Sequence, residues 1–278
     1  MKQLLYKPKS LKVRQVVECM GYVELSEHDS TDGWFGLCPN GTSNLTISLS
    51  DQDQICYHNN KGKLLLYSSC TSPVALKRTK SLKFINIQFK PFGMYCIKGI
   101  PMHELQNTSM TLDMFISSSW VEELLDRLYT APNLLARFVE VEKFLFNIIN
   151  PDLWDERMPH AVALIKKLDT TNIDELSSAV CLSSRRFREL FSTHTGFSPG
   201  FYKKTVRFNK ASVLMANHSG LSLTEIALAN YYYDQSHFIK DFKFFAGITP
   251  SQYLKQTAKT SDFYNFDLLD LNTFASTT

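Results

Sequence analysis

Residues 226–253 read IALANYYYDQSHFIKDFKFFAGITPSQY, and the same pattern stands fifty residues earlier as LSSAVCLSSRRFRELFSTHTGFSPGFY, residues 176–202. Leu176 and Ser177 answer to Ile226 and Ala227. Cys181, Phe187, Phe191, Gly196, Pro199 and Tyr202 then answer to Tyr231, Phe238, Phe242, Gly247, Pro250 and Tyr253. In both copies Phe follows Phe after four residues, Gly follows after five, Pro after three and Tyr after three. The only slip is one extra residue in the turn between Tyr231 and Asp234. Landmarks at fixed intervals mark a repeated structural unit.

Each copy has a physical reading. Asn172–Glu175 and Ser222–Glu225 fit a capping box, Asn172 as an N-cap variant, so a helix starts at the same point in both. Ser177 and Ala227 are small enough for a second helix to cross closely. After the turn, that second helix carries a Phe pair at i and i+4, which share a face. Gly196 and Gly247 suit the left-handed position that ends it. The unit is a helix-turn-helix, present twice. If Phe187, Leu190 and Phe191 are inward, Arg185, Arg188 and Glu189 project outward, flanked by Ser184 and Arg186. If Phe238, Phe242 and Phe245 are inward, Gln235, Ser236, His237 and Lys240 remain outside. Arg is the commonest bidentate reader of guanine, Glu accepts from cytosine N4, Gln suits adenine, and Lys meets guanine or phosphate. Taken alone, three Arg within four residues read as a solvated face and His237 as a packing or capping residue. The repeat, together with the family resemblance of residues 160–257, favours DNA for the arginines and leaves both readings open for His237. Lys203, Lys204, Arg207 and Lys210 lie on the joining helix, where Arg207 has two roles open to it, phosphate contact or a structural ion pair.

Residues 160–257 resemble the double helix-turn-helix domain of the AraC/XylS transcription regulators. Residues 226–253 follow the family's second-unit signature almost throughout, and Leu182–Phe191 fits the first. The resemblance implies a sequence-specific transcription regulator that meets DNA through Ser184, Arg185, Arg186, Arg188, Glu189, Gln235, Ser236, His237 and Lys240. Tyr231 stands where the family has Gly. A bulky residue is disfavoured at φ > 0, so an altered or strained turn is expected there. Cys181 is the milder departure at the matching turn. Residues 38–45 and 89–101, followed by His103-Glu104-Leu105, resemble the β-rich sensor-type domain found ahead of this module, implying a cupin-like shape.

Working outward, the 278 residues are 44% hydrophobic and 21% charged, which excludes a disordered or fibrous chain and leaves room for two cores. Residues 155–259 hold 14 Lys/Arg against 9 Asp/Glu, while 260–278 hold none against 3, so the basic excess coincides with the repeat. Ahead of it, residues 45–49 and 84–89 alternate with period two and 64–67 form a short apolar run, separated by turn signals at 39–41, 59–62 and 91–93. These suggest a sandwich or small barrel. Near residue 118 the period becomes helical, with Trp120, Val121, Leu124, Leu125 and Leu128 on one face. Pro132 then opens a second helix bearing Leu134, Phe138, Val141, Leu145 and Ile148 at 4-3-4-3 spacing. That seam either packs on its own domain or forms a dimer contact. A rigid joining helix over 201–217 spans about 25 Å, shorter than the groove repeat of about 34 Å, so the units tilt or the DNA bends.

The expected fold class is therefore α+β. A β-rich regulatory domain covers 1–117, a helical linker with possible dimerisation 118–154, an all-α double helix-turn-helix domain 155–259, and an acidic tail 260–278. Six cysteines without ligand spacing read as free thiols, no apolar run reaches membrane length, and the charged start lacks a secretory core; together these suggest a reducing cytoplasm, and the family resemblance implies a bacterial one. No catalytic constellation, metal set or cofactor motif appears; His28, His58 and His103 are isolated. The implied partners are double-stranded DNA, RNA polymerase, a small-molecule effector and, through the seam, a second copy. Two other classes fit the sequence less well: an enzyme tethered to DNA by its helices, and an architectural DNA binder without a ligand.

Overall fold

The computed structural model describes residues 2–25, 34–49, 55–57, 60–77, 82–167, 172–218 and 220–257. The acidic tail, His28 and His58 lie outside the described residues. The strands are β1 (Lys2–Tyr6), β2 (Val17–Leu25), β3 (Trp34–Leu37), β4 (Asn44–Ser48), β5 (Ile55–Tyr57), β6 (Asn60–Gly62), β7 (Leu64–Tyr67), β8 (Val74–Lys77), β9 (Leu82–Phe89) and β10 (Ser109–Thr111). They form two antiparallel sheets, ordered β1-β2-β9-β4-β7-β10 and β3-β8-β5-β6. Helices α1 (Leu11–Val16), α2 (Tyr95–Lys98), α3 (Leu112–Phe115), α4 (Ser118–Thr130) and α5 (Leu134–Ile148) accompany the sheets. The rest is helical: α6 (Arg157–Lys167), α7 (Ile173–Ala179), α8 (Ser184–Thr195), α9 (Pro199–Asn217), α10 (Leu223–Ala229), α11 (Gln235–Ala246) and α12 (Pro250–Thr257). The chain is α+β, with an antiparallel front half and a helical back half.

Period two in β4 and β9 sends Leu45, Ile47, Ile85 and Ile87 into a core shared with α1, α4 and α5. The alternate residues are polar yet buried as well. Thr46 Oγ1 donates to Asn86 Oδ1 at 3.0 Å, and Asn86 Nδ2 donates to Asn44 Oδ1 at 3.2 Å. A polar ladder of this kind is tolerated inside because its members satisfy one another.

The heptad-like seam takes the first of its two readings. Phe138, Val141 and Leu145 are fully buried in the same core, and the Phe138 ring stacks on Tyr6 with centroids 4.9 Å apart. The seam therefore packs on its own sheet and is not available to a second copy. Helices α4 and α5 consequently belong to the front core, and the linker at 118–154 differs from the strands in periodicity only. Pro132 does not open α5 either: Asn133 is its N-cap, accepting from Ala136 N at 2.9 Å. Among the seam's apolar neighbours sits a buried carboxylate, Glu142, which accepts from Tyr6 Oη at 2.6 Å and Ser10 N at 2.5 Å, tying the start of the chain to α5.

The back half has two cores with α9 as their common wall. Tyr202 and Val206 join Leu176, Phe187, Phe191 and Met158; Phe208, Ala211 and Met215 join Ile226, Phe238, Phe242 and Tyr253. The front half enters both, with Phe92 buried in the first and Cys38 packed against the second. It also answers the backbone at the end of α8. Met102 N donates to Thr193 O at 2.8 Å, Ser69 Oγ to Thr195 O at 3.2 Å, and Gln106 Nε2 to Gly196 O at 2.8 Å. The last carbonyls of a helix have no partner within it, so this end of α8 is completed by the front half.

Gly196 and Gly247 both end their helices at left-handed φ, 81° and 75°. Alanine at either position carries the left-handed penalty of about 1–2 kcal/mol. At Gly196 the added Cβ would also lie 2.5 Å from Ser69 Oγ and 3.1 Å from Met102 O, whereas at Gly247 it meets only Pro73 Cγ at 3.2 Å. Gly196→Ala is therefore predicted to lower the urea midpoint more than Gly247→Ala. Equal shifts would show that the front half does not press on the end of α8.

Candidate nucleic-acid interface

Both units are built as their residues dictate. Asn172 and Ser222 each close a full capping box with the Glu three residues on, starting α7 and α10. The turns match in backbone detail: Leu182 N donates to Ser177 O at 2.9 Å, and Tyr232 N to Ala227 O at 3.0 Å. Cys181 and Tyr231 sit at φ 55° and 58°. The second turn is thus strained rather than altered, since Tyr231 holds the left-handed conformation that Gly adopts freely, at a cost of about 1–2 kcal/mol.

On α8, Phe187 and Phe191 are fully buried while Arg185, Arg186, Arg188 and Glu189 are exposed. Glu189 pairs with two of the arginines, 3.1 Å from Arg185 Nε and 3.5 Å from Arg186 Nη1. The hydrogen bond from Arg185 is the main cause that holds its carboxyl below the usual range, so Glu189 is charged at neutral pH. Arg188 makes no ion pair among the described residues. Ser184 is turned inward: its hydroxyl bonds Asp174, and lies 3.2 Å from Ser177 Oγ, pinning α7 to α8.

On α11, Phe238, Phe242 and Phe245 are fully buried, and Gln235, Ser236 and Lys240 are exposed. Gln235 Oε1 accepts from Thr224 Oγ1 at 2.9 Å, which orients the amide from α10. Lys240 makes no ion pair among the described residues. His237 belongs to a local cluster: its ring meets Tyr232 edge-on at 5.2 Å, and Nε2 lies 3.7 Å from Asp241 Oδ2. The same Asp241 accepts from Arg207 Nη2 at 2.9 Å, and the Arg207 guanidinium lies 4.3 Å from the Tyr232 ring centre. Of its two possible roles, Arg207 takes the structural ion pair. The sequence leaves an ion pair open for Arg207 and packing open for His237, but it does not name their common partner, because Asp241 carries no signal beyond its place on the helix.

The outward faces of α8 and α11 are two polar surfaces on equivalent elements of one repeat, held by a single helix. A family model described as a helix-turn-helix domain matches residues 176–256. Residues 176–256 thus carry a helix-turn-helix domain. An uncharacterized HTH-type transcriptional regulator of Haemophilus influenzae is 32% identical over 108 residues, 38% of this chain and 36% of the relative. The HTH-type transcriptional regulator MtrA of Neisseria gonorrhoeae is 29% identical over 104 residues, 37% of this chain and 34% of that protein. The chain thus spans about a third of the length of these relatives. Among solved structures, ToxT from Vibrio cholerae is similar over 85% of this chain and 97% of its own, at 13% identity and a TM-score of 0.46. Among the described residues no helix is long and apolar enough to cross a membrane, and no group of three His, Cys, Asp or Glu is placed to hold a metal.

The Arg207–Asp241 pair is only 16% and 14% exposed. Asp241→Ala is predicted to cost about 2 kcal/mol, between an exposed and a fully buried pair, because a guanidinium is left without its partner. Chemical denaturation of the full chain measures this; a change below about 0.5 kcal/mol, the range of ordinary surface substitutions, would mean that the pair is solvated.

Proposed function

We propose that this chain is a sequence-specific DNA-binding transcription regulator, in which residues 155–259 read two successive major grooves and residues 1–154 govern that reading. The observation that carries this is the pair of equivalent helices, α8 and α11, each burying a Phe stripe and exposing polar readers, on either side of α9. Arg185 and Arg188 suit guanine, Glu189 the N4 amine of cytosine, Gln235 adenine, and Lys240 guanine or phosphate. Arg186 and Ser236 flank these faces, Ser184 positions α8 from within, and His237 lies at the edge of the second face.

RNA polymerase and a small-molecule effector complete the reading. Support for an effector comes from a cleft of ≈ 220 Å³ between the halves, lined by Glu18, Thr42, Gln88, Lys166, Asn209 and Lys210. There the buried Asn209 Oδ1 has no hydrogen-bond partner among the described residues. A mostly apolar cleft with a few convergent polar groups is the usual make-up of a ligand pocket, and Pro91, Tyr202, Val206 and Val213 supply the apolar part here.

The test is selection of random duplexes on the full chain, followed by affinity measurement against salt. The prediction is enrichment of a defined sequence, bound with a log–log salt slope of several units, since each neutralised phosphate contributes about 0.9. Salt-sensitive binding without enrichment would instead make the protein an architectural binder, and binding to neither would reject the reading.

A further inference from the structure

Three consecutive tyrosines precede α11, and comparing the two turns separates their roles. Tyr231 answers to Cys181, sharing its left-handed φ, and Tyr232 answers to Leu182, sharing its backbone hydrogen bond. The N-caps are Ser183 in the first unit and Asp234 in the second. Tyr233, between Tyr232 and Asp234, therefore has no counterpart: it is the extra residue of the second copy.

Tyr232 is buried in the second core, but Tyr231 is 64% exposed and Tyr233 88%. Neither exposed ring makes a hydrogen bond or a ring contact among the described residues. Packing thus accounts for Tyr232 alone. Tyr231 is also retained at a backbone position where Gly would be unstrained, and strain held at an exposed side chain points to a use for that side chain. A second observation concerns charge. The outward face of α8 offers Arg185, Arg186 and Arg188, whereas α11 offers Lys240 and Lys243 and has its Asp241 committed to Arg207. Net of Glu189, which pairs with Arg185 and Arg186, the two faces carry equal charge, so the tyrosines add to the cations of α11 and do not replace them.

The N-terminal end of a recognition helix enters the groove, so the turn ahead of its N-cap lies beside the flanking sugar–phosphate strand. Tyrosine hydroxyls are among the side-chain donors to phosphate oxygens. We propose that Tyr231 and Tyr233 form a DNA-contacting rim on the second unit, their hydroxyls donating to phosphate oxygens and their rings covering deoxyribose. This rests on the DNA-binding function proposed above. A neutral rim supplies grip without counterion release, which gives it a signature distinct from that of lysine.

The experiment uses the full chain and the duplex obtained by selection. Tyr233→Ala is expected to weaken binding about tenfold, the scale of one hydrogen bond to a charged group plus its ring contact, and Tyr233→Phe by less. Tyr231→Gly is the sharper variant: it should raise the unfolding midpoint by relieving the left-handed strain and yet weaken binding, which misfolding cannot explain. In all three the salt slope stays at the wild-type value, whereas Lys240→Ala lowers it by about 1. Wild-type binding with unchanged affinity in Tyr231→Gly and Tyr233→Ala overturns the rim and leaves the function standing. A protein surface for these tyrosines, seen as lost polymerase-dependent transcription at unchanged DNA affinity, overturns it too. Failure of the wild type to bind any duplex overturns both.

Discussion

Helix α9 is the constraint on which the DNA-facing geometry depends. Its 19 residues form a wall of both helical cores, with Tyr202 and Val206 in the first, Phe208, Ala211 and Met215 in the second, and Phe201 packed against each. Because both cores close on one unbroken helix, the rotation of α8 relative to α11 follows from the register of those side chains. A helix of that length spans about 28 Å, against a groove repeat of about 34 Å. In the proposed complex the difference would be met by tilt of the units or by bending the duplex, and a bend of 40–90° costs about 1–6 kcal/mol. On the proposed function, readout and deformation would be linked through a single rod.

The front half is joined to that rod and to the first unit, and leaves the outward face of α8 open. Asn209 Nδ2 donates to Asn40 O at 3.3 Å, and Gly41, at φ 77°, brings the backbone against the Tyr202 ring where a side chain would not fit. Together with the three hydrogen bonds onto the end of α8 and the insertion of Phe92, these contacts make the placement of the first recognition helix depend on the antiparallel sheets. The second unit is held more lightly, through Cys38 and Pro73. On the proposed function, such asymmetry would let a change in the front half act on α8 more than on α11.

How much of this was legible in the sequence depends on the range of the interaction. The capping boxes, the left-handed glycines and the Phe stripes are local, and their intervals reveal them. The inward turn of Ser184 is not visible in the sequence, because Asp174, its partner on the preceding helix, looks like an ordinary first-turn acid. The seam on α5 has the spacing of a dimer contact, and nothing within 134–148 shows that Tyr6 and the sheet already cover it. Glu142 lies 136 residues from the hydroxyl that satisfies it, so an apolar stripe with one acid reads as a solvated edge. In β4 and β9 the period of two was clear, but only the paired sheet shows that Thr46 and Asn86 face each other inside.

The central claim, that two units of one chain read separate grooves, is tested most directly by methylation-interference mapping on the selected duplex with wild type, Arg188→Ala and Lys240→Ala. Two contact blocks about ten base pairs apart on one face of an asymmetric site are predicted, because the recognition helices enter successive turns. Arg188→Ala should relax one block, at a cost of about 1–3 kcal/mol, and Lys240→Ala should act on the other. A single block, or two blocks that both respond to Arg188→Ala alone, would contradict the account and leave one unit reading DNA by itself.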